Sequence, residues 1–322
     1  MARLFSETID RVVAELRFED VVVRQGKSYD FPRRHPVQRL VLPVFGRQGS
    51  RMVGLGTSVC VGPGWFITAK HVVVEHLQNW APHDEDDPHL YLYLETDQAP
   101  PNNPGDMQGD FLKVRGFNLH TQTDLATLTV LDLPGHHRDR LRHMTLALRM
   151  PELGEAVAVV GYRHLLAEGE VAASGPTVLI VERLLNVAVG VVLQQQHVRL
   201  PGATAEEVDL EHLALNQSVL QPPGFLIDAP TPFGLSGGAA IDRNQQIIGF
   251  VSSSTEPNEE LSSWSSHIAG LAPALELNFS AGNDQWMHMA QLVGNGLIQC
   301  EFYDSFNVEP NTGNAAYLEP DK

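Results

Sequence analysis

From Val37 onward the chain is a succession of short apolar segments separated by Gly, Pro and Asn, and this pattern restricts its fold more than any other feature. The segments lie at residues 39–45, 52–61, 65–68, 90–95, 111–117, 125–131, 156–161, 177–192, 195–199, 225–227, 239–241, 247–252 and 267–271. Many short strands with frequent turns indicate a β-barrel or a β-sandwich. No apolar run approaches the roughly 20 residues of a membrane-spanning helix, so no membrane segment is expected.

One turn between these strands has the composition of a nucleophile loop. Ser236 follows Gly234 and precedes Gly237 and Gly238. Glycine lets the backbone approach a reacting carbonyl closely, and the N–H groups of Gly234 and Ser236 can then form an oxyanion hole. A serine hydroxyl is a weak nucleophile alone, so this interpretation requires a histidine base and a group that orients it.

Both partners are found upstream of the serine. His71 follows an apolar strand and a turn of small residues, and Asp124 stands at the head of an alternating strand. The chain order is therefore His71, Asp124, Ser236. Asp110 and Asp132 are the fallback acids, but neither opens an apolar strand as Asp124 does.

At this point the chain resembles the trypsin-like serine peptidases of the chymotrypsin fold, especially their bacterial and HtrA-like branch. The matching segments, in family order between about residues 40 and 275, are GLGTSV at 54–59, ITAKHV at 67–72, DLA at 124–126, GEAVAVVGY at 154–162 and GLSGGA at 234–239. The resemblance implies a mainly all-β fold of two six-stranded antiparallel β-barrels with the active site between them.

The resemblance also implies a division of the chain. The expected parts are an N-terminal helix and linker (1–36), a first barrel with His71 and Asp124 (37–136), a second barrel with Ser236 (137–277) and a C-terminal extension (278–322). This extension is too short for a PDZ-like module, which is a departure from HtrA-type proteins.

The motif around Ser236 also satisfies the G-x-S-x-G elbow of α/β-hydrolases. That fold needs a helix directly after the serine, followed in the chain by the acid and the histidine. Here the residues after Ser236 form two apolar runs around the turn 242–245, which is a β-hairpin pattern. The elbow interpretation is therefore disfavoured.

Two positions near the serine differ from those of trypsin. Leu235 stands where zymogen-activated relatives carry an aspartate that pairs with a new N-terminus, so no trypsin-style activation is expected. Pro230 aligns with the base of the primary specificity pocket and leaves it uncharged, with Asp228 nearby as the alternative charge. The pocket residues that the resemblance implies are Pro230, Val251, Ser252, Ser253 and His267.

Composition excludes some classes of partner and favours one compartment. The formal net charge of −17 argues against nucleic acid, which requires a basic face. There are only two cysteines, Cys60 and Cys300, and the N-terminus has no signal-peptide core, so a cytoplasmic location is expected. The acidic stretch 83–89 and the pair His136 and His137 are interpreted as exposed loop or turn residues, so neither a metal nor a cofactor is expected.

The function that these observations favour is an intracellular serine endopeptidase acting on protein or peptide substrates. Two alternatives stay open: an esterase or acyl hydrolase with the same triad, and a gated or inactive peptide-binding pseudoprotease. A regulatory protein partner is compatible with all three.

Overall fold

The computed structural model describes residues 28–30, 36–79, 89–96, 109–131, 133–171, 179–196, 224–255, 265–282, 285–303, 306–308 and 315–317. The expected N-terminal helix, most of the acidic stretch 83–89 and Asp132 lie outside these residues. Among the helices that are described, none has the length and apolar character needed to cross a bilayer.

The described elements are mostly strands. In chain order the strands are β1 (Ser28–Asp30), β2 (Val41–Gln48), β3 (Arg51–Gly62), β4 (Trp65–Thr68), β5 (Leu90–Glu95), β6 (Gly109–Lys113), β7 (Gly116–Leu119), β8 (Ala126–Thr129), β9 (Leu146–Ala147), β10 (Ala156–Glu168), β11 (Ile180–Gln196), β12 (Gly224–Ile227), β13 (Ala239–Ile241), β14 (Ile247–Thr255), β15 (Ser265–Gly270), β16 (Asn278–Gly282), β17 (Gln285–His288), β18 (Cys300–Glu301), β19 (Phe306–Val308) and β20 (Ala315–Tyr317). The α-helices are α1 (Lys70–Asn79), α2 (Gly135–Arg138) and α3 (Met289–Gly294), and 3₁₀ turns occupy Pro36–Arg39 and Ala272–Glu276.

The second barrel is a closed ring of six antiparallel strands. Its order is β10, β11, β12, β15, β14 and β13, and β13 pairs again with β10. The short strands β9 and β18 extend the sheet beyond β14, and β1 pairs with β11. The strand β1 falls in the stretch expected to be a linker, so part of that linker pairs with the second barrel.

The first sheet has the order β6, β5, β2, β3, β4, β8 and β7, and its two end strands are consecutive in the chain. Only Val114 and Arg115 separate them. The amide of Val114 donates to Leu90 O (2.9 Å) on the β5 side, and that of Arg115 donates to Thr129 O (2.8 Å) on the β8 side. We therefore describe β6 and β7 as one bent strand that runs from one end of the sheet to the other, and the sheet forms a half-barrel, which corresponds to the first barrel expected from the sequence.

The strands of both barrels bury both of their faces. On β3, Cys60 points into the first barrel, whereas Val59 and Val61 belong to the apolar cluster between the barrels. On β10, Val159 points into the second barrel and Val160 into the same shared cluster. Successive side chains of a strand alternate between faces, so two buried faces require an unbroken apolar run. Cys60 is fully buried, as expected from its sequence, and this burial raises the pKa of its thiol to about 12.

A buried ion pair also joins the barrels. Arg183 of β11 pairs with Glu95 at the end of β5, and both side chains are less than a tenth exposed. The guanidinium carbon of Arg183 lies 5.2 Å from the ring centre of Tyr93 and 5.7 Å from that of Tyr162. Cation–π contacts of this kind help to compensate a cation for lost hydration.

After the second barrel the chain returns to the first. We call residues 276–288 the return segment. Its strand β16 packs against β7 and β8, where Thr127 Oγ1 donates to Asn278 O (2.5 Å) and Ser280 N donates to Thr129 Oγ1 (3.2 Å). The segment expected to be a C-terminal extension therefore covers one side of the first barrel.

The sequence predicted the C-terminal elements only in part. The spacing of Trp286, Met287 and Val293 predicts a helix, but Trp286 and Met287 lie in β17 and pair with β16, and the helix begins only at Met289. The apolar residues at 297–302 predict a strand, but the strand is reduced to Cys300 and Glu301. A short apolar run fits a strand and a helix equally well, and here its pairing partner decides.

Candidate active site

The loop around Ser236 is held in a tight turn by its own backbone. The amide of Leu235 donates to Pro232 O (3.1 Å) and that of Gly238 donates to Leu235 O (2.7 Å). Gly237 has a φ of +82°, and a Cβ there would lie 2.1 Å from Thr57 O. Only glycine fits this position, because other residues are strained at positive φ and the space is already filled.

Two amides of this loop stay available. Among the described residues, no acceptor lies within hydrogen-bonding geometry of the N–H groups of Gly234 and Ser236, whereas Leu235, Gly237 and Gly238 all donate. Gly234 has a φ of +98°, and its Cα lies against Tyr162 O, so it too requires glycine. The two amides that the sequence assigns to an oxyanion hole are therefore the two that the loop leaves unused.

Thr57 of β3 attaches this loop to the first barrel. Its amide donates to Ser236 O (2.8 Å), and its hydroxyl donates to Gly234 O (2.8 Å). The same hydroxyl accepts from the amide of Tyr162 (2.9 Å), at the edge of the second barrel. Thr57 is fully buried, so these bonds are shielded from water. The role of Thr57 was not predicted from the sequence, because a threonine in a strand does not by itself indicate a functional position.

His71 and Asp124 are in direct contact. His71 stands in the first turn of α1, and Asp124 lies two residues before β8, slightly outside the strand that it was expected to open. The amide of His71 donates to Asp124 Oδ1 (2.9 Å), and its Nδ1 lies 2.8 Å from Asp124 Oδ2. An ionised carboxylate only accepts, so Nδ1 carries the proton and the lone pair of the neutral ring is on Nε2.

Ser236 is brought toward this pair across β3. A Cβ on Gly56 would lie 2.9 Å from Ser236 O and 2.7 Å from a methyl group of Val72, the residue after His71. Only the backbone of Gly56 therefore lies between Ser236 O and the side chain of Val72. A larger residue at position 56 would force them apart. The side chain of His71 is 45% exposed, so the ring is accessible to a substrate.

Ser252 provides a further contact to the acid, from the second barrel. Its hydroxyl donates to Asp124 Oδ2 (2.6 Å) and the residue is buried. Ser252, which the resemblance places in the wall of the specificity pocket, directs its hydroxyl to Asp124. The carboxylate is thus held by one barrel through His71 and by the other through Ser252.

These contacts shift the pKa values of both partners. Burial alone would lower the pKa of His71, but the Asp124 carboxylate, its hydrogen bond and the charge of Glu75 outweigh burial and raise it above 6.5. Burial alone would raise the pKa of Asp124, yet His71 and Ser252 outweigh it and lower the pKa. Each group favours the charged form of the other.

The loop that carries Asp124 is anchored by a buried histidine. His120 accepts at Nδ1 from the amide of Thr123 (3.0 Å), so its Nε2–H is directed to Glu276 Oε2 (3.2 Å) at the start of the return segment. Lys70 Nζ donates to His120 O (2.8 Å), and the amide of Lys70 donates to Asp124 O (3.2 Å). The return segment therefore contributes to the position of the acid.

The fallback acids do not take this place. The carboxylate of Asp110 lies 3.1 Å from His137 Nε2, away from His71, and Asp132 is outside the described residues. Asp228, the alternative pocket charge, is buried and accepts from the amide of Val191 (2.6 Å).

Four of the five residues assigned to the pocket are buried, and Ser253 is partly exposed. Ser253 of β14 pairs with His267 of β15, and Pro230 precedes Thr231, whose hydroxyl lies 2.8 Å from that of Ser266. His267 is buried rather than on the surface. Val251 differs from expectation: it packs in the interior of the second barrel, because side chains alternate along β14.

Replacement of Thr57 tests whether this residue holds the nucleophile loop. We expect Thr57→Val to lower the free energy of unfolding by roughly 2–4 kcal/mol, since each buried group left unpaired costs about 1–3 kcal/mol. Hydrogen exchange at residues 234–238 should accelerate more than at Ala239–Ile241 of β13. Thr57→Ser keeps the hydroxyl and is the matched control; equal loss in both variants would contradict the role of the hydrogen bonds.

Comparisons with known proteins identify the family of the chain. A family model described as a trypsin-like peptidase domain matches residues 56–250, which is more than half of the 322 residues and includes His71, Asp124 and Ser236. Solved structures similar in fold include the Rv3671c protease from M. tuberculosis in its active form, at 16% identity and a TM-score of 0.45 over 74% of this chain and 78% of that one. Its inactive form matches at 16% identity and a TM-score of 0.41, over 73% of this chain and 84% of that one. No curated protein matches the sequence. Because the matched span is more than half of the chain and contains all three residues of the site, the chain belongs to the family of trypsin-like peptidases.

Proposed function

We propose that the protein is a serine endopeptidase in which Ser236 is the nucleophile, His71 the general base and Asp124 the residue that orients the base. The observation that carries this proposal is the 2.8 Å contact between His71 Nδ1 and Asp124 Oδ2, beside a serine loop with two unused amides. It fixes the tautomer whose Nε2 can accept a proton.

The mechanism follows from these positions. His71 Nε2 takes the proton of Ser236 Oγ as the oxygen attacks the peptide carbonyl, and Asp124 stabilises the imidazolium. The amides of Gly234 and Ser236 stabilise the negative oxygen of the tetrahedral intermediate. The imidazolium then protonates the leaving amine, which gives an acyl-enzyme on Ser236. A water molecule, activated by the same base, releases the acid product and restores the serine.

The buried Leu235 supports activity without a cut in the chain. Its side chain lies in the apolar interior of the second barrel, where an ion pair orders the loop in zymogen-activated relatives. Packing thus replaces the ion pair, and we propose that no new N-terminus is required. Cys60 and Cys300 are both free thiols, which is compatible with the cytoplasmic location that we propose.

A fluorophosphonate probe distinguishes the active peptidase from an inert peptide-binding protein. The probe should label wild-type protein at Ser236, and Ser236→Ala and His71→Ala should each lower kcat by about a million-fold on a protein substrate, because triad members act as a unit. Asp124→Asn should cost about 10⁴-fold. His164→Ala removes another exposed histidine with a carboxylate neighbour and is the matched control.

Three results would contradict this assignment. Absence of labelling would favour the pseudoprotease, and hydrolysis of esters without cleavage of any peptide would favour the esterase. Loss of activity in Asp110→Asn together with near-full activity in Asp124→Asn would show that the acid is another residue.

The raised pKa of His71 predicts the acid side of the pH profile. The base must be neutral in the free enzyme, so kcat/KM should fall as the pH decreases through this pKa, with its midpoint above 6.5. Glu75→Gln removes one negative charge near His71 without touching the triad, and the midpoint should move to lower pH. Glu152→Gln, an exposed site on the second barrel, is the control. An unchanged midpoint in Glu75→Gln would show that this charge does not act on His71.

The pocket predicts which residues are cleaved. With Pro230 at its base and Asp228 bonded to Val191, we expect cleavage after small, apolar or Gln/Glu residues and poor cleavage after Lys or Arg. A peptide library, with Ser236→Ala as the blank, measures this profile. His267→Leu should lower cleavage after Gln and Glu at least tenfold relative to cleavage after alanine, because the ring is the titratable donor assigned to the pocket. A profile dominated by Lys and Arg would show that Asp228 supplies a pocket charge after all.

A further inference from the structure

Three potential metal ligands meet where the segment between the barrels crosses the first barrel. Asp110 is on β6, and His136 and His137 are consecutive residues of the one-turn helix α2. One donor atom from each side chain lies within 4.8 Å of the others. This cluster is separate from the triad, and the sequence analysis interpreted its two histidines as an exposed turn. We infer that Asp110, His136 and His137 form a binding site for a zinc ion.

The separation of two of the ligands already fits one metal. His137 Nε2 lies 3.1 Å from Asp110 Oδ2. Zn–N and Zn–O bonds of about 2.0–2.2 Å at the tetrahedral angle place neighbouring ligand atoms about 3.3–3.5 Å apart. A zinc ion can therefore replace the proton that these two atoms share, with little movement of either side chain. Asp110 and His136 are exposed and can rotate to complete the site.

The fold already places the two histidines side by side. His137 is 4% exposed, and its Nε2 is directed to Asp110. The rings of His136 and His137 lie 4.0 Å apart between centres, so the exposed ring of His136 is next to the buried ring of His137.

The donor set selects the class of metal. Two imidazole nitrogens and one carboxylate oxygen suit zinc and related transition metals, whereas magnesium and calcium prefer oxygen ligands throughout. Three protein ligands leave a fourth position for water. The guanidinium of Arg140, whose charge acts on His137, donates to Glu95 O (3.1 Å) at the end of β5.

The position of the site indicates its consequence. A bound ion would attach α2, in the segment between the barrels, to β6 of the first barrel. Arg140, two residues after α2, donates to the backbone oxygen of Glu95. The carboxylate of Glu95 pairs with Arg183 of the second barrel. Zinc would therefore reinforce the junction of the two barrels and would increase thermal stability by mass action.

The test uses the full chain with Ser236→Ala, which prevents self-cleavage, and zinc chloride as the probe. We expect one zinc per chain at this site, measured by elemental analysis after dialysis, and an increase of Tm with zinc concentration. His136→Ala and Asp110→Asn alter exposed residues; each should weaken zinc binding at least tenfold in a chelator competition and abolish the Tm increase. In cobalt-substituted protein, the visible spectrum should show nitrogen and oxygen coordination that both variants lose.

Two controls separate this site from others. His71→Ala removes the triad histidine, and His164→Ala removes an exposed histidine beside Glu182 (3.6 Å); both should bind zinc as the parent does. His137→Gln should also lose the ion, and if it does not fold, the two exposed variants decide. The inference is overturned if His136→Ala and Asp110→Asn bind zinc like the parent, if His164→Ala loses as much, or if the parent binds none.

Discussion

The geometry of the candidate active site depends on one buried threonine. Thr57 sits on a strand of the first barrel, and its backbone and hydroxyl both bind the serine loop of the second barrel, while the hydroxyl also accepts from Tyr162. A peptidase of this fold places its base and its nucleophile on different barrels, so their distance is only as well defined as the contact between the barrels. Hydrogen bonds inside an apolar cluster are directional and cannot exchange readily with water. The shared apolar cluster holds the two barrels together, and the hydrogen bonds of Thr57 fix the serine loop against the first barrel.

The acid is positioned in a similar manner. Asp124 belongs to the first barrel, but Ser252 of the second barrel donates to the same oxygen that His71 contacts. The charged carboxylate therefore depends on both barrels for the hydrogen bonds that compensate its burial. Such an arrangement couples the electrostatics of the triad to the docking of the barrels: if they separate, the serine loop and the acid lose support together.

The sequence predicted those features of the fold and of the site that depend on local patterns of residues. The order of His71, Asp124 and Ser236, the family and the two barrels followed from glycine-rich turns and from strands that are apolar on both faces. The roles of Thr57, Ser252 and His120 were not predictable, because each depends on a distant partner. Thr57 and Gly234 are 177 positions apart, and Ser252 and Asp124 are 128 apart. Serine and threonine are common in strands, so their identity alone does not distinguish a structural hydroxyl from a functional one. The meeting of Asp110 with His136 and His137 is likewise a product of the tertiary fold.

The return segment affects the order in which the contacts of the candidate site can form during synthesis. Residues 118–129, which include Asp124, form part of their contacts with Glu276, Asn278 and Ser280. On a ribosome these partners emerge about 150 residues after the segment that they support. The acid stands second in chain order, yet its loop is completed after Ser236 has already been made. A nascent chain therefore contains His71 and Ser236 before all the contacts that hold the loop of Asp124 can form.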